Sequence, residues 1–278
     1  MSRELISPDA LWNALAPLRA FFSPRYYGLH HVDPARPTLF VANHTLYGTF
    51  DVLLAAGIFK HTGVLPRGMF TKVYAHVPLW RDFLNYLGCV EATREQLRAL
   101  LEAGESPCVT PGGVREVAKR KGEQYQLFWG NRLGFVQLAV EYGYPLTPVA
   151  IMGPEHAYTI LWDANDIMSS PPFKLMQRLG ILERLGVGSK TPLSDVPIPP
   201  LARGLGPTLL PRPERCYISV CEPIETLSYR GREGDKEAML ELRGRVQSAI
   251  ERELRGLEKK RSDDQDKGTL RKLLTRFG

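Results

Sequence analysis

Two short segments of this 278-residue chain combine groups that can move a proton with groups that can hold developing negative charge. The first is Asn43-His44-Thr45-Leu46-Tyr47-Gly48-Thr49-Phe50-Asp51. A histidine can take the proton of a hydroxyl near neutral pH, provided a carboxylate or carbonyl fixes its tautomer. A histidine in that place can equally cap the helix that follows, and position alone leaves both readings open. The second is Pro111-Gly112-Gly113-Val114-Arg115-Glu116. Two glycines after a strand let backbone N–H groups approach a ligand, and Arg115 adds a fixed cationic fork. A plain tight turn with a surface Arg-Glu pair accounts for the same residues. Lys119, Arg120 and Lys121 follow, either as a phosphate-holding cluster or as a solvated helix face.

Several other chemistries lack their residues. No Gly-x-Ser-x-Gly, Walker-type phosphate loop, His-Glu-x-x-His or Gly-x-Gly-x-x-Gly occurs. His30-His31, His76 and His156 have no companions at metal-ligand spacing, so no metal site is expected. Cys89, Cys108, Cys216 and Cys221 match no zinc or redox spacing and read as buried free thiols. The formal charge is +6, from 36 Lys and Arg against 30 Asp and Glu. Much of that excess falls after Leu257, at Lys259, Lys260, Arg261, Lys267, Arg271, Lys272 and Arg276. These lack interleaved aromatics, so nucleic acid is not an expected partner. No uncharged apolar run is long enough to cross a bilayer, and Arg3, Glu4 and Asp9 interrupt any signal-peptide core. The expected location is the cytoplasm or its membrane face.

The elements that must position these residues follow from local patterning. Ser7-Pro8-Asp9 reads as a helix start, with Leu11, Leu15, Leu18 and Phe22 at helical spacing and Pro17 bending or shortening the helix. Strands are expected at 38–42, 68–72, 88–91, 107–110, 145–152 and 216–221. Helices are expected at 50–59, 78–87, 133–142 and 235–257, and one opened by the capping box Thr93-Arg94-Glu95-Gln96 and closed by Gly104. Strands alternating with helices predict an α/β fold with a mainly parallel central sheet flanked by helices. Residues 1–35 form an N-terminal amphipathic lead-in, 36–258 a single α/β domain, and 259–278 a basic polar tail. Residues 153–213 hold ten prolines and read as an irregular insertion.

Taken together, these segments resemble the lysophosphatidic acid acyltransferase superfamily, the glycerolipid acyltransferases. Asn43, His44 and Asp51 fit its first motif, and Pro111-Gly112-Gly113-Val114-Arg115 stands in the place of its Pro-Glu-Gly-Thr-Arg turn. Pro145-Leu146-Thr147-Pro148-Val149-Ala150 resembles its strand with an internal proline. The order and separations agree across residues 36–152. Within the superfamily the chain looks most like the monoacylglycerol and diacylglycerol acyltransferase-like branch. That likeness rests on Pro111-Gly112-Gly113-Val114-Arg115-Glu116 and on Tyr125-Gln126-Leu127-Phe128-Trp129-Gly130-Asn131-Arg132-Leu133-Gly134-Phe135.

The resemblance implies acyl transfer from a thioester, acyl-CoA or an acyl carrier protein as co-substrate, to a lipid hydroxyl, with no resident cofactor. His44 would be the general base. Asn43, Gly112, Gly113 and Arg115 would contact substrate, with backbone N–H groups near Gly112-Gly113 at the oxyanion. Two departures matter. The superfamily usually spaces its His and Asp by four residues, whereas six intervene here. On a regular helix that offset separates the groups by about 10 Å, too far for a hydrogen bond. Asp51 can then orient His44 only if the chain around Gly48 is non-helical, and Glu116 is the rival carboxylate. Gly112 replaces the glutamate of the phospholipid-making enzymes, which favours a neutral alcohol acceptor over lysophosphatidic acid, though Arg115 keeps the phosphate-bearing acceptor open. A peripheral attachment to membrane is expected through the N-terminal helix, with Trp12, Phe21 and Phe22, or through the segment 173–187; both can instead pack as core helices. A lipid carrier without catalysis and an esterase or thioesterase are the remaining rivals.

Overall fold

The apolar run Leu39–Ala42 is buried along its whole length, as expected of a strand covered on both faces. A computed structural model describes residues 6–48, 50–71, 82, 84–181, 198–266, 271, 274 and 275. It places this strand, β2, in a sheet with β1 (Arg25–Tyr27), β3 (Arg67–Phe70), β4 (Val90–Glu91), β5 (Pro107–Val109), β6 (Leu146–Met152) and β9 (Tyr217–Val220). The strand order is β1-β9-β6-β2-β5-β3-β4. From β6 through β2, β5 and β3 to β4 every pairing is parallel. β9 runs antiparallel to β6, and β1 runs parallel to β9. The fold is therefore mixed α/β with a mostly parallel seven-stranded sheet, and the reversed pair lies at one edge. β1 is Arg-Tyr-Tyr, exposed to half-buried, and so writes no buried apolar run that would mark it in the sequence.

Alternation along β2 splits the core between two faces. Leu39 and Val41 join the helices α4 (Arg94–Glu102), α6 (Gly134–Tyr142) and α9 (Lys236–Asp263), through Leu97, Leu101, Val136, Val140, Met239, Leu242 and Val246. Phe40 and Ala42 pack against α2 (Ala16–Phe22) and α3 (Asp51–Thr62), through Phe22, Phe50, Leu53, Leu54 and Ile58. Ser7 caps α1 (Pro8–Ala14), its hydroxyl accepting from Ala10 N–H, and the helical path breaks at Leu15 before Pro17. Thr93 caps α4 by accepting from Gln96 N–H.

Three expectations change. The insertion is more regular than its proline content suggests: β7 (Thr159–Trp162) and β8 (Leu201–Arg203) form a second, two-stranded sheet, and α7 (Ala164–Ser169) and α8 (Pro171–Arg178) lie between them. The basic tail does not begin at 259, because α9 continues unbroken to Asp263. Beyond it Arg215 binds the Asp264 carboxylate, and Arg271 donates to Phe21 and Pro213 carbonyls. Both N-terminal helices pack inward, α1 on α3 through Leu11 and Ala56, and α2 on the sheet through Phe22. Half of the helix expected at 78–87, His76, the stretch 182–187, and the tail residues Lys267, Lys272 and Arg276 lie outside the described residues.

Candidate active site

β5, β2 and β6 are adjacent and parallel, so their C-terminal ends open on one edge of the sheet. Asn43-His44 follows β2, Pro111 to Lys119 follows β5, and Gly153 to Glu155 follows β6. Asn43 is fully buried and its amide continues the sheet: Nδ2 donates to Ile151 O at 3.0 Å and Oδ1 accepts from Ile151 N–H at 2.8 Å. The expected substrate contact at Asn43 thus gives way to a side chain that closes the β2–β6 ladder just before the histidine.

His44 Nδ1 hydrogen-bonds directly to Asp51 Oδ2. The other carboxylate oxygen, Oδ1, accepts from Thr45 Oγ1 at 2.8 Å and Thr45 N–H at 3.3 Å. The seven-residue offset closes because the chain between them is not helical. Residues Leu46–Gly48 make a single 3-10 turn in which Tyr47 (φ 62°) and Gly48 (φ 67°) are both left-handed. That reversal folds His44 back over the first turn of α3, where Asp51 sits. A Cβ at Gly48 would lie 3.3 Å from His44 Cε1, so the glycine supplies both the dihedral and the clearance. The His44 and Asp51 side chains remain 20% and 22% exposed, open enough to meet a ligand. Burial pulls the His44 pKa down, but the charge and hydrogen bond of Asp51, with the charge of Glu116, outweigh it. The result lies above the ordinary histidine value, with Lys119 opposing the rise.

Glu116 does not hold the imidazole. It is fully buried; Oε2 accepts from the His44 backbone N–H at 2.8 Å and Oε1 from Phe128 N–H at 2.9 Å. The rival carboxylate therefore grips the main chain of the histidine rather than its ring. A Cβ at Gly112 would come within 2.0 Å of Glu116 Cδ, so glycine at 112 makes room for this carboxylate. Gly113 (φ 51°) leads into the short helix α5 (Val114–Val117), and its N–H donates to Thr110 O, leaving it turned into the loop rather than toward a ligand. Arg115 stacks over Phe128 at 4.1 Å and donates to Glu123 Oε1 at 2.5 Å, so its fork faces these residues.

The basic cluster divides, Lys119 being turned inward while Lys121 is exposed. Lys119 is buried, donating to Glu155 Oε1 at 2.5 Å and to the His44 carbonyl at 3.1 Å. Arg120 donates to Asn165 Oδ1 and Lys121 to Asp166 Oδ2, which tie the turn to α7. Thr45 and Glu155 escaped sequence reasoning. Glu155 had one signal: it too follows a strand of the parallel set. The unusual Tyr125–Phe135 stretch walls this edge. Tyr125 N–H donates to Glu155, Phe128 N–H to Glu116, Arg132 donates to Pro111 O, and Trp129 is buried in the core.

A histidine–carboxylate pair stands at the C-terminal edge of the parallel sheet, its histidine framed by buried charged groups, an arrangement in which an imidazole can accept a proton. Residues 23–152 match the family model described as Acyltransferase. Over that domain the chain is similar to acyltransferases. It is 27% identical over 267 residues to the phytyl ester synthase 1, chloroplastic, of Arabidopsis thaliana, covering 88% of this chain and 36% of that protein. It is 28% identical over 123 residues to the DGAT1/2-independent enzyme synthesizing storage lipids of Bos taurus, covering 44% and 36%. The chain spans about a third of the length of the phytyl ester synthases it matches. Among solved structures it is similar to the 1-acyl-sn-glycerophosphate (LPA) acyltransferase PlsC of Thermotoga maritima, with a TM-score of 0.49, 15% identity, and coverage of 88% of this chain and 81% of that one.

Proposed function

We propose that this chain transfers a fatty acyl group from a thioester, acyl-CoA or acyl carrier protein, to the hydroxyl of a neutral lipid alcohol. Mono- or diacylglycerol, or a long-chain alcohol of the kind named in the phytyl ester synthases, is the acceptor class. The observation that carries this reading is the direct His44 Nδ1–Asp51 hydrogen bond. With Nδ1–H donated to Asp51, Nε2 keeps its lone pair and takes the acceptor hydroxyl proton while the oxygen attacks the thioester carbonyl. The tetrahedral intermediate then expels the thiolate, the C–S bond breaks, and the imidazolium returns the proton to sulfur. Asp51 stabilises the imidazolium between these steps. A neutral acceptor is favoured because residue 112 carries no side chain and the Arg115 fork faces Glu123 and Phe128.

Peripheral docking on a membrane, at its cytoplasmic face, belongs to the same reading. Among the described residues no helix is long and apolar enough to cross a membrane. Leu161, Trp162, Leu201, Leu209 and Leu210 are exposed on and beside the two-stranded β7–β8 sheet, and Leu175 and Leu179 on and just beyond α8. Tyr47, three residues from His44, donates its hydroxyl to Pro200 O next to β8. This apolar surface therefore lies beside the site that must receive a lipid.

The test is an assay of labelled acyl-CoA and acyl carrier protein against monoacylglycerol, diacylglycerol, a long-chain alcohol, lysophosphatidic acid and water. Wild-type protein is expected to esterify a neutral alcohol, and His44→Ala to lose that transfer while staying folded. Near-normal turnover by His44→Ala removes the base assignment. Preference for water or for lysophosphatidic acid replaces the acceptor class, and binding without transfer leaves a lipid carrier.

A further inference from the structure

We propose that Lys119 and Glu155, a buried ion pair behind the histidine, are positioning residues that set the direction of the His44 side chain. This rests on the reading of His44 as the base. His44 lies beyond the last residue of β2, and the Asn43 amide closes the ladder before it, so strand pairing does not hold residue 44. Its two flanking peptide groups are held by charged side chains instead. The His44 N–H donates to Glu116 at 2.8 Å, and the His44 carbonyl accepts from Lys119 Nζ at 3.1 Å. Each peptide is planar, so fixing the two that meet at one Cα fixes its φ and ψ, and with them the direction of Cβ. Asp51 then sets the rotation of the ring. Backbone and side-chain torsions of one residue are thus held by three charged groups.

The grip extends into the molecule. Glu116 and Lys119 stand three residues apart in the segment after β5 and reach opposite sides of one residue. Lys119 is anchored by Glu155 Oε1, and Glu155 Oε2 accepts from Tyr125 N–H at 2.7 Å. Tyr125 is itself left-handed (φ 58°), and its hydroxyl accepts from Gly153 N–H at 3.0 Å. The Lys119 and Glu155 side chains are 2% and 3% exposed. A buried ion pair is commonly replaced by apolar residues at no loss of stability, so stability alone gives no reason for two charges here. The hydrogen bond from Lys119 to the His44 carbonyl does give one.

Three charged groups face the His44 imidazole and its backbone: Asp51 from α3, and Glu116 and Lys119 from the segment after β5; Glu155, after β6, acts through Lys119. The Lys119 charge opposes protonation of His44, so removing it lets the histidine bind its proton more tightly. The test uses the full chain carrying Lys119→Met with Glu155→Met, which leaves no lone buried charge. Melting temperature, KM, kcat and the His44 imidazole titration by NMR are read together. The expected result is a folded protein with KM for the thioester within about twofold of wild type, kcat lower on the order of 100-fold, and a His44 midpoint moved to higher pH. A folded double variant with wild-type kcat and an unmoved midpoint overturns the proposal. If that variant does not fold, Glu155→Gln alone decides: kcat falls at constant KM, or the proposal is lost. Should His44→Ala prove fully active in the same assay, the base reading fails instead, and the NMR midpoint still reports whether the pair governs the imidazole.

Discussion

At the scale of single residues, His44 couples the site to pH. Its pKa stands above the ordinary histidine value, because the Asp51 charge and hydrogen bond, with Glu116, outweigh burial and Lys119. A base must be neutral to act, so kcat/KM is expected to fall as pH drops through that raised value. In Asp51→Asn the acid limb should move to lower pH while kcat also falls, since the imidazolium loses its anionic partner. A pH–rate profile checks both; a limb that stays in place contradicts the role of Asp51. The stability effect has the opposite sense. A raised histidine contributes stability that is present below its unfolded value and is lost as pH rises through the folded value. The difference in melting temperature between wild type and His44→Gln should therefore shrink as pH rises through that window. Gly112 gives a separate prediction. A methyl there meets the Glu116 carboxyl carbon at 2.0 Å, so Gly112→Ala should cost about 1–3 kcal/mol in denaturant unfolding.

At the scale of elements, the turn between β2 and α3 brings His44 and Asp51 together. The resemblance implied a shorter His-to-Asp spacing, and the two extra residues are absorbed where Tyr47 and Gly48 both turn left-handed. Such dihedrals cost an L-residue about 1–2 kcal/mol, so Gly48→Ala should lose that much stability. It should also lower kcat, because its Cβ presses on the His44 ring. Thermal melts and steady-state kinetics on one preparation separate the two effects. Asp235 offers the contrast. It caps α9 by accepting from Glu237 and Ala238 N–H, far along the chain from the site. Asp235→Ala should cost about 1 kcal/mol and leave kcat alone. Helix starts at Ser7 and Thr93 were legible because a cap is a contact between residues three apart. β1 and the β7–β8 pair were not, because their mostly exposed or half-buried residues write no buried run and owe their pairing to distant partners.

At the scale of the molecule, the apolar residues at 161, 162, 201, 209 and 210 bear on how a lipid reaches His44. Burying one such side chain is worth about 1.5–3 kcal/mol, so a few together suffice for reversible surface binding. Trp162→Ser with Leu209→Ser should weaken flotation with anionic vesicles. It should also slow transfer to a vesicle-embedded alcohol more than to a dispersed one. Wild-type protein that never floats would remove the docking surface from the account.

The residues alone determined the parallel α/β architecture and the region where chemistry would lie. Buried strands write continuous apolar runs, helices write their period, and a histidine just past a strand stands at a ligand-binding edge whatever else the chain does. Only the tertiary structure decided the partners. Asp51, not Glu116, meets the imidazole, because two left-handed residues cancel a separation that helical geometry would enforce. Glu116 and Lys119, read as a rival carboxylate and as one of a basic cluster, grip the backbone of His44 from either side. Periodicity reports which face of an element is buried. A hydrogen bond depends on loop dihedrals and on strand register across a hundred residues, and neither is written in local spacing.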